Sequence, residues 1–393
     1  MRLYSPEFTD DPHSAYAEMR GIHGELAPVE VASGVPATLV TGYHAARHIF
    51  GNPAHFPADP RLWQSTIPAG CPALPMMQWR PNAIRSAGEE HSRYRNAITA
   101  SLDHIDLHAL RHTVERTAVS LINEFCKAGA ADLLSDYALP LTIEAFDAVL
   151  GLSPEAGDET YAAMMLRRGA VDTPASDRAE EMLVAAMRKV LAGKRITPAA
   201  DVASQLLRRA TELSEEEMAH QLVMLYLRGA EPTWNLIANT LLSMLTDDGF
   251  GGDLLGGGLL VRDAIDEVLF TDPPVANACI SYPRQPQIVG EVWLPEHRPV
   301  IVSLAACNTD PAVAGDRKGN RSHLAWGGGP HVCPGQAPAT VIVEVALEQL
   351  LDALPDIALS VPATQLRWRP DPFHRALTAL PVTFASAPPL PVV

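Results

Sequence analysis

Over most of the chain the hydrophobic positions recur every three or four residues, which is the spacing of amphipathic helices. This pattern covers residues 89–270 and 338–354, and we expect both stretches to be largely helical. Strand-like apolar runs with intervening turn residues occur over 28–42, 275–304 and 358–385. Helix therefore dominates and the strands are segregated, which predicts a mainly α fold with a minor β region.

One predicted helix is much longer than the others. It begins at Ser214, which forms a capping-box pattern with Glu217, and its helical pattern continues to Thr246. A helix of this length spans about 50 Å. Its apolar residues lie on several faces, so we expect it to be central and buried. The glycine-rich run 251–258 is expected to end it in a loop.

Composition narrows the classes of partner. The chain has 393 residues and a formal charge of 30 − 46 = −16 at pH 7. Because phosphate binding needs a basic surface, this charge argues against nucleic acid and against an anionic membrane. No apolar run reaches the roughly 20 residues that cross a bilayer, and the N-terminal stretch lacks the apolar core of a signal peptide. Five well-separated cysteines suit a reducing compartment, so we expect a cytoplasmic protein.

The segment 323–335, HLAWGGGPHVCPG, is the most informative part of the sequence. Its glycines permit close approach to a flat or bulky ligand. Cys333 lies just ahead of a predicted helix, whose N-terminal amides and dipole favour a thiolate that can bind a soft metal. Two other interpretations stay open from the residues alone: a buried structural cysteine, or a phosphate loop, although the Lys-Ser/Thr ending of such a loop is missing.

This segment resembles the heme-binding signature of the cytochrome P450 family, with Trp326 in the aromatic position. Further similarities follow in the same order along the chain, at 11–16, 39–41, 90–95, 272–275, 302–311 and 377–382. The resemblance implies the cytochrome P450 fold: a triangular helical prism with a long central distal helix and small β-sheets. It also implies a single domain over residues 1–393, with heme b (iron protoporphyrin IX) as its cofactor.

The resemblance also assigns roles to individual residues. Cys333 would be the metal ligand, the proximal thiolate of the heme iron. Cations at three matching positions would bind the heme propionates: His91, Arg95 and His331. The remaining cofactor-binding candidates belong to the cysteine loop: Trp326, Gly327, Gly329 and Gly335. For His91 and Arg95 an ordinary solvated helix face stays open as the alternative.

The predicted distal helix departs from the family pattern, small-Gly-x-acid-Thr. Gly229 and Glu231 keep their positions, but Pro232 stands where the proton-relaying threonine is usual, with Thr233 one place later. Proline has no hydroxyl and no N–H, so it also frees the carbonyl one turn back, at Arg228. Thr233 lies about 100° further round the helix and is not expected to substitute. The catalytic candidates are therefore Gly229, Glu231, Pro232 and Thr233, with protons arriving through Glu231 and water or from a substrate hydroxyl.

Three further departures concern charge and the sulfur. The family's Glu-x-x-Arg pair keeps only its acid, Glu267, which we expect to pair with Arg317 or Arg321 instead. The strand residues 278–281 lack the arginine that often binds a propionate. Pro334 offers no amide hydrogen to the neighbouring sulfur, so we expect a more electron-rich thiolate.

These features imply a heme-thiolate oxidoreductase of bacterial secondary metabolism, either an O2-dependent monooxygenase or an oxidative-coupling enzyme. Its expected partners are a hydrophobic small-molecule substrate, a ferredoxin and a ferredoxin reductase. The pocket walls would come from the loop 56–88, the helices over 160–190 and the turn at 377–378. Arg228 either reaches an acidic substrate or a propionate, or points outward. Three alternatives stay open: a peroxide-driven oxidase, a heme-binding sensor with little turnover, and a heme-free helical scaffold.

Overall fold

The computed structural model describes residues 1–170, 172–246, 261–315, 317 and 319–391. Helices account for most of this part of the chain. In chain order they are α1 (Pro6–Asp10), α2 (Pro12–His23), α3 (Tyr43–Gly51), α4 (Arg61–Gln64), α5 (Leu74–Met77), α6 (Gly88–Leu102), α7 (Leu107–Phe125), α8 (Leu139–Leu150), α9 (Pro154–Arg168), α10 (Thr173–Ile196), α11 (Val202–Arg209), α12 (Glu215–Thr246), α13 (Val261–Thr271), α14 (Leu304–Asn308) and α15 (Gln336–Ala353). The glycine run 251–258 lies outside the described residues.

The strands form three small sheets. They are β1 (Leu26–Ala32), β2 (Val35–Val40), β3 (Ala130–Asp132), β4 (Asn277–Ser281), β5 (Gln287–Val289), β6 (Val292–Leu294), β7 (Val300–Ser303), β8 (Ala358–Leu359) and β9 (Pro381–Thr383). The largest sheet has the order β1-β2-β7-β4, in which β2 and β7 are parallel and the other neighbours antiparallel. The other sheets are β3-β9-β8 and the hairpin β5-β6. The mainly α fold with a segregated β region is confirmed.

The long helix α12 begins where the sequence pattern predicts and covers the predicted range up to Thr246. The Ser214 backbone N–H donates to the Glu217 carboxylate at 2.8 Å, and the Glu217 backbone N–H donates to the Ser214 hydroxyl at 3.2 Å. These reciprocal bonds satisfy N–H groups that a helix start leaves unpaired. Further along, α12 is buried on several sides, and Trp234 is 1% exposed. The predicted central helix is therefore confirmed.

The core positions the site between helix and loop. Residues of α12 pack with α7, α8, α10 and α15 in one large apolar cluster, while the main sheet packs in two others. The cysteine loop, residues 323–335, leads directly into α15. Among the residues the structure describes, no helix combines the length and the apolar character needed to cross a bilayer.

Candidate active site

A cavity of about 330 Å³ lies between α12 and the cysteine loop. Most of the residues selected from the sequence line it. From α12 these are Gly229, Pro232 and Thr233; from α6, His91 and Arg95; from the loop, Trp326, Gly327, His331, Cys333 and Gly335. Gly329 and Glu231 are not among the described residues that line the cavity. The fold therefore brings most of the proposed heme-binding and catalytic positions to one cavity.

The cysteine loop is closed on itself and packed against α3. The Cys333 backbone N–H donates to the Trp326 carbonyl at 2.8 Å, which joins the two ends of the glycine-rich stretch. Gly329 has a φ of +61°, and a Cβ there would clash with the backbone carbonyl of Phe50. Both the conformation and the close approach therefore require glycine at this position.

A buried asparagine ties the same loop to α13. The side-chain amide of Asn308 donates to the Leu269 carbonyl at 2.9 Å, and its oxygen accepts from the Leu324 N–H at 2.6 Å. Asn308 is 6% exposed, so both bonds are shielded from water. The start of the loop is thus fixed relative to the helix that follows α12.

The backbone amide of Gly335 acts to lower the pKa of the Cys333 thiol. Pro334, directly after the cysteine, has no N–H to give. Burial raises the pKa of the thiol above its ordinary value, against the opposing effects of the Gly335 amide and of Arg95. The amide at the helix start thus acts in the direction that the sequence predicts, but the effect of burial on the pKa is larger. A bound metal ion is what would make this sulfur a thiolate.

Three basic side chains gather at one edge of the cavity. The rings of His91 and His331 lie 4.0 Å apart, and Arg95 donates to the Val332 carbonyl at 2.6 Å. Burial, followed by His91 and Arg95, lowers the pKa of His331 to about 3, and burial followed by Arg95 lowers that of His91. His91 is 5% exposed, so the alternative of a solvated helix face is wrong for this residue.

These residues fit a heme. The buried Nε2 of His91 has no hydrogen-bond partner among the described residues, and no carboxylate of those residues pairs with His91, Arg95 or His331. Such a cluster suits carboxylates brought by a ligand, as the heme propionates are. A carboxylate placed there would also raise the pKa of both histidines, because it stabilises the charged imidazolium. Cys333 offers a thiol, which is one of the ligand types that hold heme iron.

Where α12 lines the cavity, neither Pro232 nor Thr233 has a hydroxyl that is free to relay protons. The Thr233 hydroxyl donates to the Gly229 carbonyl at 2.8 Å, one turn back on the same helix. Its hydrogen is thus committed to the backbone, and Pro232 has none to offer. Gly229 has a packing role as well, because a Cβ there would clash with the Phe146 ring.

Glu231 lies in an ion-pair cluster and not on the cavity. Its carboxylate is 2.7 Å from a guanidinium nitrogen of Arg369 and 3.4 Å from one of Arg168. Burial acts to raise the pKa of this carboxyl, but His374, Arg369 and Arg168 lower it overall. It therefore holds no proton at neutral pH, and its part in proton delivery stays a prediction.

The altered Glu-x-x-Arg region has a new set of ion pairs. Glu267 pairs with Arg317 at 2.8 Å, which confirms that hypothesis. Asp266, next to it, pairs with Arg321 at 2.6 Å and lies 3.7 Å from a His323 ring nitrogen. The two candidate arginines therefore serve two adjacent acids.

An aromatic residue stands where the family has the arginine of this pair. Phe270 packs edge-on against His323, with ring centroids 5.1 Å apart. The Arg317 guanidinium lies 5.8 Å from the centroid of the same phenyl ring. Contacts of an aromatic ring have thus replaced those of a buried cation.

The strand that lacks the expected arginine closes the cavity with a cysteine. Cys279 has a φ of +51°, unusual for a residue other than glycine, and burial raises the pKa of its thiol. A Cβ on Gly327 would lie 3.1 Å from the same sulfur. At this place the protein has a cysteine packed tightly against the cysteine loop, where the family often has an arginine.

The walls match the sequence prediction only in part. The loop 56–88 contributes several lining residues, including Met76 and Ile84. None of the described residues in 160–190 lines the cavity, and neither does the turn at 377–378. The residues just before that turn, Phe373 and His374, do so instead.

Arg85 and Phe146 also line the cavity, although neither was among the predicted site residues. Arg85 is one of three arginines in the loop 56–88, so no local pattern distinguished it from the other two. Phe146 is one of many apolar residues in its helix, so no local pattern distinguished it.

Comparisons with known proteins agree with this site. No protein-family model matches the chain. Curated relatives include cytochrome P450 monooxygenase PikC of Streptomyces venezuelae, 28% identical over 96% of this chain and 92% of that protein. Another is the mycinamicin IV hydroxylase/epoxidase of Micromonospora griseorubida, 28% identical over 93% of this chain and 96% of that protein. The solved structure of CYP154C4 from Streptomyces sp. W2061 superposes with a TM-score of 0.86 at 25% identity, covering 95% of both chains.

A buried thiol beside a basic edge, on this fold, is the arrangement typical of heme-thiolate proteins. Together with the relatives, these features show that the chain belongs to the cytochrome P450 family and is an enzyme of the monooxygenase type.

Proposed function

We propose that the enzyme oxidises a hydrophobic small molecule of bacterial secondary metabolism with O2, by hydroxylation or by oxidative coupling. The observation that carries this proposal is the Cys333 thiol at one wall of a mainly apolar cavity, opposite α12. The relatives named above, a monooxygenase and a hydroxylase/epoxidase, support the same reaction class. Heme b held by Cys333 would supply the oxidising power for attack on a C–H bond.

The chain's own residues would position the cofactor and exclude water. His91, Arg95 and His331 would hold the propionates, which fixes the rotation of the cofactor in its plane. Phe146 and the apolar side chains of α12 that line the cavity keep water away from the reacting centre.

Protons would reach the cavity without a relay hydroxyl on α12. The Thr233 hydroxyl donates to the Gly229 carbonyl, and Glu231 is ion-paired away from the cavity. Cavity water or a substrate hydroxyl would therefore supply the protons. Electrons would come from a ferredoxin and its reductase.

The first experiment compares the reduced, carbon-monoxide-bound spectra of the wild type, Cys333→Ser and Cys126→Ser. Cys126 is buried at the end of α7, does not line the cavity and serves as the control. We expect the strongly red-shifted thiolate band in the wild type and the control, and its loss in Cys333→Ser. A wild type without that band contradicts the proposal.

The second experiment supplies ferredoxin, reductase, NADPH and isotopically labelled O2 to the loaded enzyme with a panel of apolar substrates. Label in a hydroxylated product, or a coupled product formed with O2 consumption, supports the proposal. A thiolate band without any O2 consumption supports the heme-binding sensor instead.

A peroxide-driven oxidation is the second candidate. One observation favours it: α12 has Pro232 in place of the relay hydroxyl, and Thr233 is bonded back to the helix. Turnover with hydrogen peroxide that exceeds turnover with ferredoxin and O2 would select it.

A further inference from the structure

Two arginines, Arg228 of α12 and Arg85 of the loop before α6, line the cavity. Arg228 has no hydrogen bond and no carboxylate within 4.0 Å among the described residues. Its side chain has accessible surface although it lies deep in the protein, because that surface faces the cavity. Arg85 is 7% exposed and donates to the Met76 carbonyl, again without a carboxylate among its described partners.

The carboxylates near Arg228 are already engaged by other cations. The acidic groups whose charge acts on it are Glu231, Asp371 and Glu180. Glu231 and Asp371 both pair with Arg369, at 2.7 and 3.1 Å. Glu180 pairs with a different arginine, at 3.2 Å. The positive charge of Arg228 therefore lacks a carboxylate of its own in the described part of the chain.

In the protein without ligand, the surroundings of Arg228 disfavour its charged form. Burial, followed by the neighbouring Arg85, lowers the pKa of Arg228 to about 10. The group still carries its charge at neutral pH. Because the guanidinium of Arg228 has no carboxylate partner among the described residues, a ligand that brings the opposite charge meets a cation that is not already engaged.

Arg228 lies on α12, whereas the edge that would bind the heme propionates is formed by α6 and the cysteine loop. The charged groups that act on His331 are His91 and Arg95. Those that act on Arg228 are Arg85 and the three carboxylates. Propionates bound by His91, Arg95 and His331 would therefore leave Arg228 without a counter-charge among the described residues.

We propose that Arg228 and Arg85 bind the carboxylate of the substrate, which is therefore a hydrophobic carboxylic acid. This rests on the proposed function and narrows its substrate class. The guanidinium of Arg228 offers the planar pair of donors that a carboxylate accepts. The apolar side chains that also line the cavity, such as Met224, Leu225 and Ile84, would hold the rest of the molecule.

The test uses the heme-loaded enzyme and three acids of different shape: decanoate, 4-phenylbutanoate and 2-naphthoate, each beside its methyl ester. Affinity is measured by calorimetry and by the ligand-induced shift of the heme absorption band. The wild type is expected to bind at least one acid about tenfold more tightly than its ester, the value of a hydrogen bond to a charged group. Arg228→Met is expected to lose this preference while keeping its affinity for the ester. Arg228→Lys, which keeps the charge but not the planar pair of donors, is expected to retain only part of it.

Thermal unfolding gives a second readout. Because Arg228 carries an uncompensated charge, Arg228→Met without ligand should unfold at a temperature equal to or above that of the wild type. A purely structural arginine would make the variant less stable. The preferred acid should raise the unfolding temperature of the wild type but not of Arg228→Met. Arg178→Gln, which removes an exposed arginine of α10, is the control and should behave as the wild type.

Equal binding of every acid and its ester by the wild type overturns the inference, as does an acid preference that Arg228→Met retains. The proposed function is judged separately by the thiolate band of the same preparations. A band present with no acid preference rejects only the carboxylate site, whereas a missing band rejects the function.

Discussion

At the scale of single residues, several positions of the site either lack a hydrogen-bond donor or have one that is already bonded within the protein. Pro334 has no N–H, so the residue directly after Cys333 offers no hydrogen bond to its sulfur. The Thr233 hydroxyl already donates a hydrogen bond to the Gly229 carbonyl. Such changes alter the charge and the hydrogen bonds around the cofactor position without altering the fold.

Replacing Pro334 by leucine should raise the reduction potential of the bound heme. The Pro334→Leu variant restores an amide N–H beside the sulfur, and each hydrogen bond to a thiolate withdraws electron density from it. The measurement is a spectroelectrochemical titration of the variant and the wild type, with the position of the thiolate band as a check on ligation. An unchanged or more negative potential in the variant counts against this account.

At the scale of elements, the sequence predicted what depends on local pattern and missed what depends on distant packing. The start and extent of α12 followed from its capping box and apolar repeat, because capping and periodicity are local. The contact of Phe146 with Gly229 joins α8 to α12, and no local signal announces it. The position of Glu231 off the cavity depends on Arg369, which lies far later in the chain, so the motif alone suggested the wrong environment.

Two adjacent acidic residues of α13, Asp266 and Glu267, allow the stabilising effects of a buried and a more exposed ion pair to be compared. The Asp266 side chain is 11% exposed and contacts Arg321 and His323, whereas that of Glu267 is 35% exposed and pairs with Arg317. At pH 7, Asp266→Asn should lower the free energy of unfolding by about 1–2 kcal/mol. Glu267→Gln, the matched control, should lower it by less than about 1 kcal/mol, since the pair is more exposed.

The effect of Asp266 should also depend on pH. Burial acts to raise its pKa, but His323, Arg321 and Arg262 lower it overall. A carboxyl with a lowered pKa in the folded state stabilises the protein above its unfolded pKa, about 3.9, and that contribution disappears as the pH falls. Urea unfolding at a series of pH values should therefore show the difference between wild type and Asp266→Asn shrinking below about pH 4. A difference that is constant or grows in acid contradicts the assigned ion pair.

At the scale of the whole molecule, the loop 56–88 is fastened to two helices by charged side chains. Gln78 and Arg80 both donate to the Asp177 carboxylate of α10, at 2.8 and 2.6 Å. Arg167, near the end of α9, donates to a backbone carbonyl of the same loop at 3.2 Å. Groups far apart in sequence thus hold a pocket-lining loop in place, which composition alone could not indicate.

Loosening this attachment should speed ligand entry. Asp177→Asn removes the charge that both loop residues share, and a partly exposed pair of this kind contributes about 0.5–1 kcal/mol, or a roughly twofold to fivefold change in rate. Stopped-flow binding of imidazole to the heme-loaded enzyme measures the association rate, with Glu181→Gln on an exposed position of α10 as the control. An association rate equal in Asp177→Asn and the control would show that the loop does not gate entry.

The attachment of the cysteine loop to Phe50, Leu269 and Asn308 has a consequence for the order of synthesis. All three supports precede the loop in the chain, so they leave the ribosome before it does. The cysteine loop therefore cannot fold onto these supports until translation has passed residue 335. A chain that stalls before residue 323 contains α12 and most of the cavity wall, yet it lacks Cys333, the proposed ligand of the iron, and leaves its apolar lining open to water.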